Sequence, residues 1–530
     1  MASTVTQTLI AQIEPPQSDT TGDYYYRTYA PGQVLAEQEG VHFVGLTSLH
    51  RNRDRIMLNA DVVILKNICD PDFLPLIAER KRLGRPTVYE IADDLWNLQP
   101  WNAVYLFYQV EENRQLLKTT ASYCDALQFT TKKLEERYGH LNPVCDVFPN
   151  QILAPPCFTA RSNRDESVVN IGWGGSHGHF EDIKTVAPAL TNWLINNNAV
   201  LHLMCSDTIW KLFDSLPSEK KMRYKPGAIT DYYDFLTHLD IGLAPLDNTP
   251  FNRSRSDVKF LEYAVNEIVP VVQHLEPYKD SVKHGTNGYL FRNYSELVAI
   301  LNILAGGRNV LRMTGLLAKT YVMRERLQRE HVDERIKFYR MVAHQVAQRA
   351  GGTSGRGNNI IEQIAAMDGA EVHGRHITLK FSKYENLLHN GLVSLQTGGD
   401  KSEAHRMLAE AAEIAGEEYL PHLLLHTIAE NPNGHLKKAL EKNPMSVRSL
   451  ILLGERYANS GRYIESLECF QKAATMQPNY DVPFKRMVIA LRKIGCIDEA
   501  LKLDCYIADK WKIYGEPLPI SPMSSMFRLR

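Results

Sequence analysis

Between about Val34 and Val147, short continuous apolar runs alternate with stretches of helical periodicity: VHFVGL at 41 to 46, DVVILK at 61 to 66, PTVYEI at 86 to 91, DALQFT at 125 to 130 and PVCDVF at 143 to 148. Apolar runs of this length predict strands buried on both faces, with helices such as 72 to 83 and 106 to 121 as crossovers. The pattern restarts after the Pro-containing polar stretch 154 to 167, with strands expected at 167 to 173, 199 to 205, 240 to 246, 268 to 274 and 288 to 291. Two successive Rossmann-like α/β units follow from this. In open α/β sheets ligands bind beyond the carboxyl ends of the strands, so function is sought in the loops there.

Residues 296 to 349 read as helical, and GGTSGRGNN at 351 to 359 reads as a flexible linker. Beyond about Ser382 the chain is wholly helical and repeats with a period of 34 residues. In the clearest unit Leu450, Leu453, Gly454, Tyr457, Phe470, Ala473 and Pro478 keep the register; units starting at 385, 413 and 481 keep it less fully. Small residues where paired helices approach and large ones between them encode helical hairpins stacked as a solenoid. The pattern resembles the tetratricopeptide (TPR) repeat, whose concave surface binds extended peptides or partner proteins.

The expected organisation is a flexible N-terminus at 1–30, a first Rossmann-like unit at 31–153 and a second at 154–349 with closing helices. A linker at 350–381, repeats at 382–515 and a tail at 516–530 complete it. A length of 530 residues accommodates this many units. The 60 basic residues nearly cancel the 61 acidic ones, so no global field gathers nucleic acid or an anionic membrane. Eight scattered cysteines without a C-x-x-C pair read as reduced thiols, not a disulfide framework or zinc ribbon. The first residues lack a basic stretch followed by an apolar one, and no segment approaches the roughly 18 apolar residues of a membrane span. The expectation is a cytoplasmic protein, at most peripheral to a membrane.

Two segments carry candidate chemistry. Ile171-Gly-Trp-Gly-Gly-Ser-His-Gly-His-Phe-Glu-Asp joins a buried strand to a helix, so glycines 174 and 175, Ser176 and His177 offer a close backbone approach to a diphosphate; a plain tight turn is the alternative. It is not the dinucleotide fingerprint, because the next strand ends in Met204, Cys205 and Ser206 without an acidic residue. Further on, Arg253 and Arg255 lie in a polar loop, and a helix then opens with Lys259 and Glu262 three apart on one face. Cations at Arg255 and Lys259 would offset charge on a departing diphosphate, and Glu262 would accept from ribose hydroxyls; a solvated Lys and Glu pair is the alternative.

Together these segments resemble the GT-B-fold retaining glycosyltransferases that use nucleotide sugars, the glycosyltransferase family 4-like group, over about residues 40 to 345. The resemblance rests on I-G-W-G-G-S-x-G-H-x-x-D from Ile171 to Asp182, D-I-G-L-A-P-L from Asp240, K-F-L-E-Y-A from Lys259, and the stretch from Pro277 to Gly288. It implies that Gly174, Gly175, Ser176, Arg255, Lys259 and Glu262 bind the donor diphosphate and ribose. It also implies that Gly227, with Lys225 and Pro226 beside it, begins a loop lining the nucleobase. Family members commonly carry a second Glu eight positions before the one at Glu262; here Ser254 stands there. Asp93 and Asp94 follow a buried strand in Y-E-I-A-D-D-L-W, like a turn in similar enzymes. One of them would hold the transferred sugar or act as base on an acceptor hydroxyl, and helix capping is the alternative role.

The implied activity is transfer of a sugar from a UDP- or GDP-sugar to an acceptor protein or glycan, with no metal, no further cofactor and no nucleic acid. The repeats would recruit the acceptor or a protein partner. Asp70-Pro-Asp72 spells a D-x-D, and His177 and His179 lie two apart; neither is read as a metal site, since Asp72 is a good helix start and the histidines lack a third ligand in register. The alternative from another class is an interaction scaffold carrying a degenerate transferase site, which the serine at 254 favours and the intact Lys259 and Glu262 oppose.

Overall fold

The computed structural model describes residues 7–16, 21–102, 104–155, 167–353, 355 and 359–511. Strands β1 (Thr8–Glu14), β2 (Val41–Thr47), β3 (Val62–Lys66), β4 (Thr87–Ile91), β5 (Ala126–Phe129) and β6 (Cys145–Val147) form a parallel sheet in the order β2-β1-β3-β4-β5-β6. Strands β7 (Val169–Gly174), β8 (Ala199–Met204), β9 (Lys221–Tyr224), β10 (Ile241–Ala244), β11 (Val269–Gln273) and β12 (Tyr289–Phe291) form a second parallel sheet, ordered β12-β11-β10-β7-β8-β9. This is the doubly wound Rossmann order, and its direction reverses between β7 and β10. The continuous apolar runs are buried because helices cover both faces.

Three departures from the expected organisation share one cause. The N-terminal stretch contains β1, which lies between β2 and β3 with Leu9, Ile10, Ala11 and Ile13 buried. The stretch expected as linker contains β13 (Ala370–His373) and β14 (His376–Leu379), and β14 pairs in parallel with β2 to extend the first sheet. The long helix Val332–Ala350, expected to close the second unit, packs Phe338, Tyr339, Val342 and Val346 on the first, against Ile10, Val62 and Val88. Each segment is too short to announce itself by periodicity, or carries an apolar face that fits either unit; pairing partners far along the chain decided its place. The chain crosses between units beside Arg326, which donates to the Asn150 carbonyl and to Asp257 Oδ1, each at 2.8–3.0 Å.

Helices from Lys383–Thr397 to Ile497–Lys510 form consecutive antiparallel hairpins, an all-α array. The hairpin Val447–Asn459 and Tyr463–Met476 contains the clearest repeat unit; in it an added Cβ on Gly454 would meet Phe470 Cε1 at 2.6 Å, which is why a glycine stands there. The array is not a tethered module. Val447, Leu450, Ile451, Tyr480 and Val482 join one apolar core with Ile68, Phe73 and Leu74 of the first unit. Buried Asp72 accepts from the Tyr419 hydroxyl, the Ser446 hydroxyl and the Arg448 amide, each at 2.9 Å, and Arg486 bridges Glu455 to Glu112. Asp70-Pro-Asp72 is thus the anchor of the array. Part of the array's surface, in the last two hairpins, is covered where Arg448, Ile451 and Arg486 face the first unit.

The described cysteines are unpaired, and Cys157 lies outside the described residues. Among the described residues no helix is long and apolar enough to cross a membrane.

Candidate functional site

At the carboxyl ends of β7, β8 and β9 lies a cleft of about 430 Å³. Its wall combines four stretches distant in sequence: Gly174 to His177, the Pro226–Gly227 turn running into helix Ile229–Leu236, the face of helix Val258–Val265 that carries Lys259 and Glu262, and Thr21–Gly22 of the first unit. Gly174 closes β7, where an added Cβ would meet the Tyr232 ring at 2.8 Å, so the strand end sits directly on the aromatic floor. Ser176 and His177 are exposed to the cleft, whereas Lys225 is exposed beside it and does not line it.

Glu262 is 4% exposed, held from two sides. Lys259 Nζ donates to Glu262 Oε2 at 3.1 Å and to the Tyr232 hydroxyl at 2.7 Å, and lies 4.1 Å from the Tyr232 ring centre. Tyr26 of the first unit donates its hydroxyl to Glu262 Oε1 at 3.1 Å. The carboxylate therefore stays a compact acceptor at the cleft wall, and Lys259, one-fifth exposed, presents a positive charge into it. The Gly175 N–H is taken by the Met204 carbonyl at 3.1 Å, so an anionic ligand there would meet the turn from Ser176 onward together with an ammonium.

The other candidates separate. Arg255 does not line the cleft; its guanidinium stands 5.3 Å from the Phe251 ring centre and acts on both Asp93 and His179. Burial pushes the Asp93 carboxyl up to about 6, against the pull of Arg255, and among the described residues its side chain accepts no hydrogen bond. Asp94 is fully engaged: it pairs with Arg137 and accepts from Tyr138, from Asn97 at 3.0 Å and from the Ser254 hydroxyl at 3.3 Å. Of the adjacent pair, Asp93 is the open group, and Asp94 ties the first unit to the loop of the second. Ser254 also accepts at its carbonyl from Thr131 at 2.9 Å, so this serine serves the contact between units.

His179 bonds Asp182 at 2.8 Å, and burial with Arg255 nearby lowers it to about 4, so it is neutral at ordinary pH. Asp182 in turn accepts from the Asn252 amide side chain and the Asp247 backbone, linking the Gly-rich turn to the polar loop. Trp101 of the first unit donates to the Gly178 carbonyl at 3.0 Å. Among the described residues no three His, Cys, Asp or Glu side chains are grouped as metal ligands.

Sequence reasoning missed Thr21, Gly22, Tyr26 and Tyr232. The first three lie in the stretch read as a flexible N-terminus; Tyr232 sits on an amphipathic helix where an aromatic reads as core. The one available signal was the run Tyr24-Tyr25-Tyr26, an unusual density of hydroxyl-bearing rings in a supposed tail.

No protein-family model matches the sequence, and no curated protein sequence does. Solved structures are similar at low identity. A glycosyltransferase from Rickettsia africae is 11% identical with a TM-score of 0.47, the match covering 63% of this chain and 98% of that one. HepE of Anabaena, solved in complex with UDP and glucose, is 10% identical with a TM-score of 0.44, covering 64% of this chain and 100% of its own. The sucrose-phosphate synthase of Thermosynechococcus elongatus gives the same identity, coverage and TM-score. What the chain itself establishes is two Rossmann-like sheets with a cleft at the strand ends of the second, edged by the first, and an all-α array fixed to the first.

Proposed function

We propose that the chain is a glycosyltransferase of GT-B arrangement, moving a sugar from a UDP- or GDP-sugar to an acceptor hydroxyl with retention of configuration and without a metal. The observation that carries this reading is the convergence of Gly174, Gly175, Ser176, His177, Pro226, Gly227, Lys259 and Glu262 on one cleft at the strand ends. The diphosphate lies over the Gly174–Ser176 backbone, where Lys259, supported by the field of Arg255, offsets its charge as the glycosidic bond breaks. Glu262 accepts from the ribose hydroxyls, and the base lies along Pro226–Gly227, with Lys225 outside. The leaving diphosphate takes part in removing the acceptor proton.

Asp93 lies on the first unit, facing Arg255, and is the carboxylate open to the transferred sugar or the acceptor hydroxyl. Asp94 takes the positioning role. We read the helical array as TPR hairpins; with part of their surface packed on the first unit, an acceptor protein, glycan or partner is held by the first two hairpins or the outer helices. A cytoplasmic location, at most peripheral to a membrane, fits such donors.

The test is a thermal-shift screen with UDP, GDP, ADP and their sugar conjugates, without and with added metal. A ligand at about 100 times its Kd stabilises the native state by about 2.7 kcal/mol. Stabilisation by one nucleotide that disappears in Glu262→Ala and weakens in Lys259→Ala is the expected result. No shift with any nucleotide at millimolar concentration would sink the reading and favour the scaffold.

A further inference from the structure

The segment Gly22–Tyr29 belongs to the first unit by its anchors, yet it reaches the donor side of the cleft. Lys66 Nζ, buried between carboxylates, grips Asp23 at 2.6 Å and Glu14 at 2.7 Å. Arg27 pairs with buried Glu90 at 2.5 Å and donates to the Phe148 carbonyl at 2.8 Å and to Asn150 Oδ1 at 2.9 Å. Tyr24 donates to Thr378 of β14 at 3.2 Å. Arg27 lies within a π-helical turn, Tyr25–Tyr29, that directly follows the Asp23 and Tyr24 anchors, a conformation frequent at functional sites.

The side chain that reaches the second unit beside the cleft, without lining it, is Tyr26. It is 3% exposed; its hydroxyl meets Glu262 Oε1 at 3.1 Å and the Tyr233 hydroxyl at 3.0 Å. Burial, and then the Glu262 carboxylate, raise it well above the ordinary tyrosine range, so the hydroxyl keeps its proton and donates it to Glu262, while Tyr233 donates to Tyr26. A carboxylate offers about four acceptor positions. Tyr26 occupies one on Oε1 and Lys259 one on Oε2, and the Tyr232 hydroxyl also bonds the group, which fixes its plane and leaves its remaining capacity for a ribose hydroxyl.

Resting on the donor reading above, we propose that Tyr26 is a positioning residue for the donor ribose. From the opposite unit it orients Glu262, so that recognition of the ribose diol depends on contact between the two units. The unit that does not carry the nucleotide thereby takes part in binding it.

Calorimetric titration of the full chain and of Tyr26→Phe with UDP, GDP and ADP, and with their 2′,3′-dideoxy forms, tests this. The phenylalanine keeps the ring and removes only the hydroxyl. The expected result is that the wild type binds one diphosphate and binds its dideoxy form more weakly. Tyr26→Phe should weaken the ribose form about tenfold, equivalent to about 1.4 kcal/mol, and leave the dideoxy form unchanged.

Equal weakening of both forms would show that Tyr26 acts on the fold, and unchanged binding of both would show that it does not act at all; either overturns the proposal. Failure of the wild type to bind any diphosphate would overturn the donor reading itself, a distinguishable outcome. Should Tyr26→Phe not fold, Tyr233→Phe removes the donor to Tyr26. A two- to threefold loss confined to the ribose form then supports the proposal, and a loss common to both forms refutes it.

Discussion

Asp93 and Asp94 show how neighbours of one type come to differ. Their backbones follow the same strand, but Asp94 turns into a nest of donors while Asp93 stays half-buried without one. Burial lifts Asp93 from its ordinary 3.8 to about 6, so its ionisation opposes folding. The stability this group contributes is fully present below about pH 4 and is lost as pH rises through 6. Asp93→Asn should therefore be more stable than the wild type by about 1–2 kcal/mol at pH 8, allowing for its partial exposure, with the difference vanishing at pH 4. Urea unfolding at the two pH values measures this; a variant less stable at pH 8 would contradict the assignment. If Asp93 accepts the acceptor proton or a sugar hydroxyl, the same variant loses transfer activity while retaining nucleotide binding. The sequence could place both aspartates after a buried strand but could not choose between them, because the donors around Asp94 come from Asn97, Arg137, Tyr138 and Ser254.

At the scale of elements, the end of β7 and helix Ile229–Leu236 form one device. Tyr232 supports Lys259 through its hydroxyl and its ring face, and Gly174 leaves room for that ring. Gly174→Ala puts a methyl 2.8 Å from Tyr232 Cε2, so the ring or the strand end must shift. Nucleotide binding should fall by about tenfold or more, with a stability loss of about 1–3 kcal/mol from overpacking. Parallel titration and thermal unfolding check the pair of effects, and unchanged binding would show that the ring has somewhere else to go. The Gly-rich turn stood out in the sequence, though glycines between a buried strand and a helix also serve a plain tight turn; the fold is what sets this one against the cleft. Its aromatic floor was not, because an aromatic on an amphipathic helix looks the same whether it packs in a core or carries an ammonium.

For the whole molecule, the array and the first unit share one apolar core, with Asp72 as its polar pin. Removing that carboxylate leaves Tyr419, Ser446 and the Arg448 amide without their acceptor in a buried contact. Asp72→Ala should lower stability by about 2–3 kcal/mol and split a single calorimetric transition into two as the array uncouples. A single unshifted transition would show that the apolar contact alone holds the array.

The sequence by itself determined much of the local structure: alternating buried runs and amphipathic stretches marked β2 to β6 and most strands of the second sheet, and the 34-residue spacing marked the helical hairpins. Those patterns are short-range, written within one or two elements by burial and periodicity. It also singled out the Gly-rich turn, Lys259 and Glu262, which the fold brings to one cleft. Only the tertiary structure decided where the chain's outlying pieces belong: β1 inside the first sheet, β14 at its edge, Val332–Ala350 against the first unit rather than the second, and Tyr26 against Glu262. These placements join residues tens to hundreds of positions apart, and a short strand or a single hydroxyl carries no mark of its partner until the cores that align them have formed.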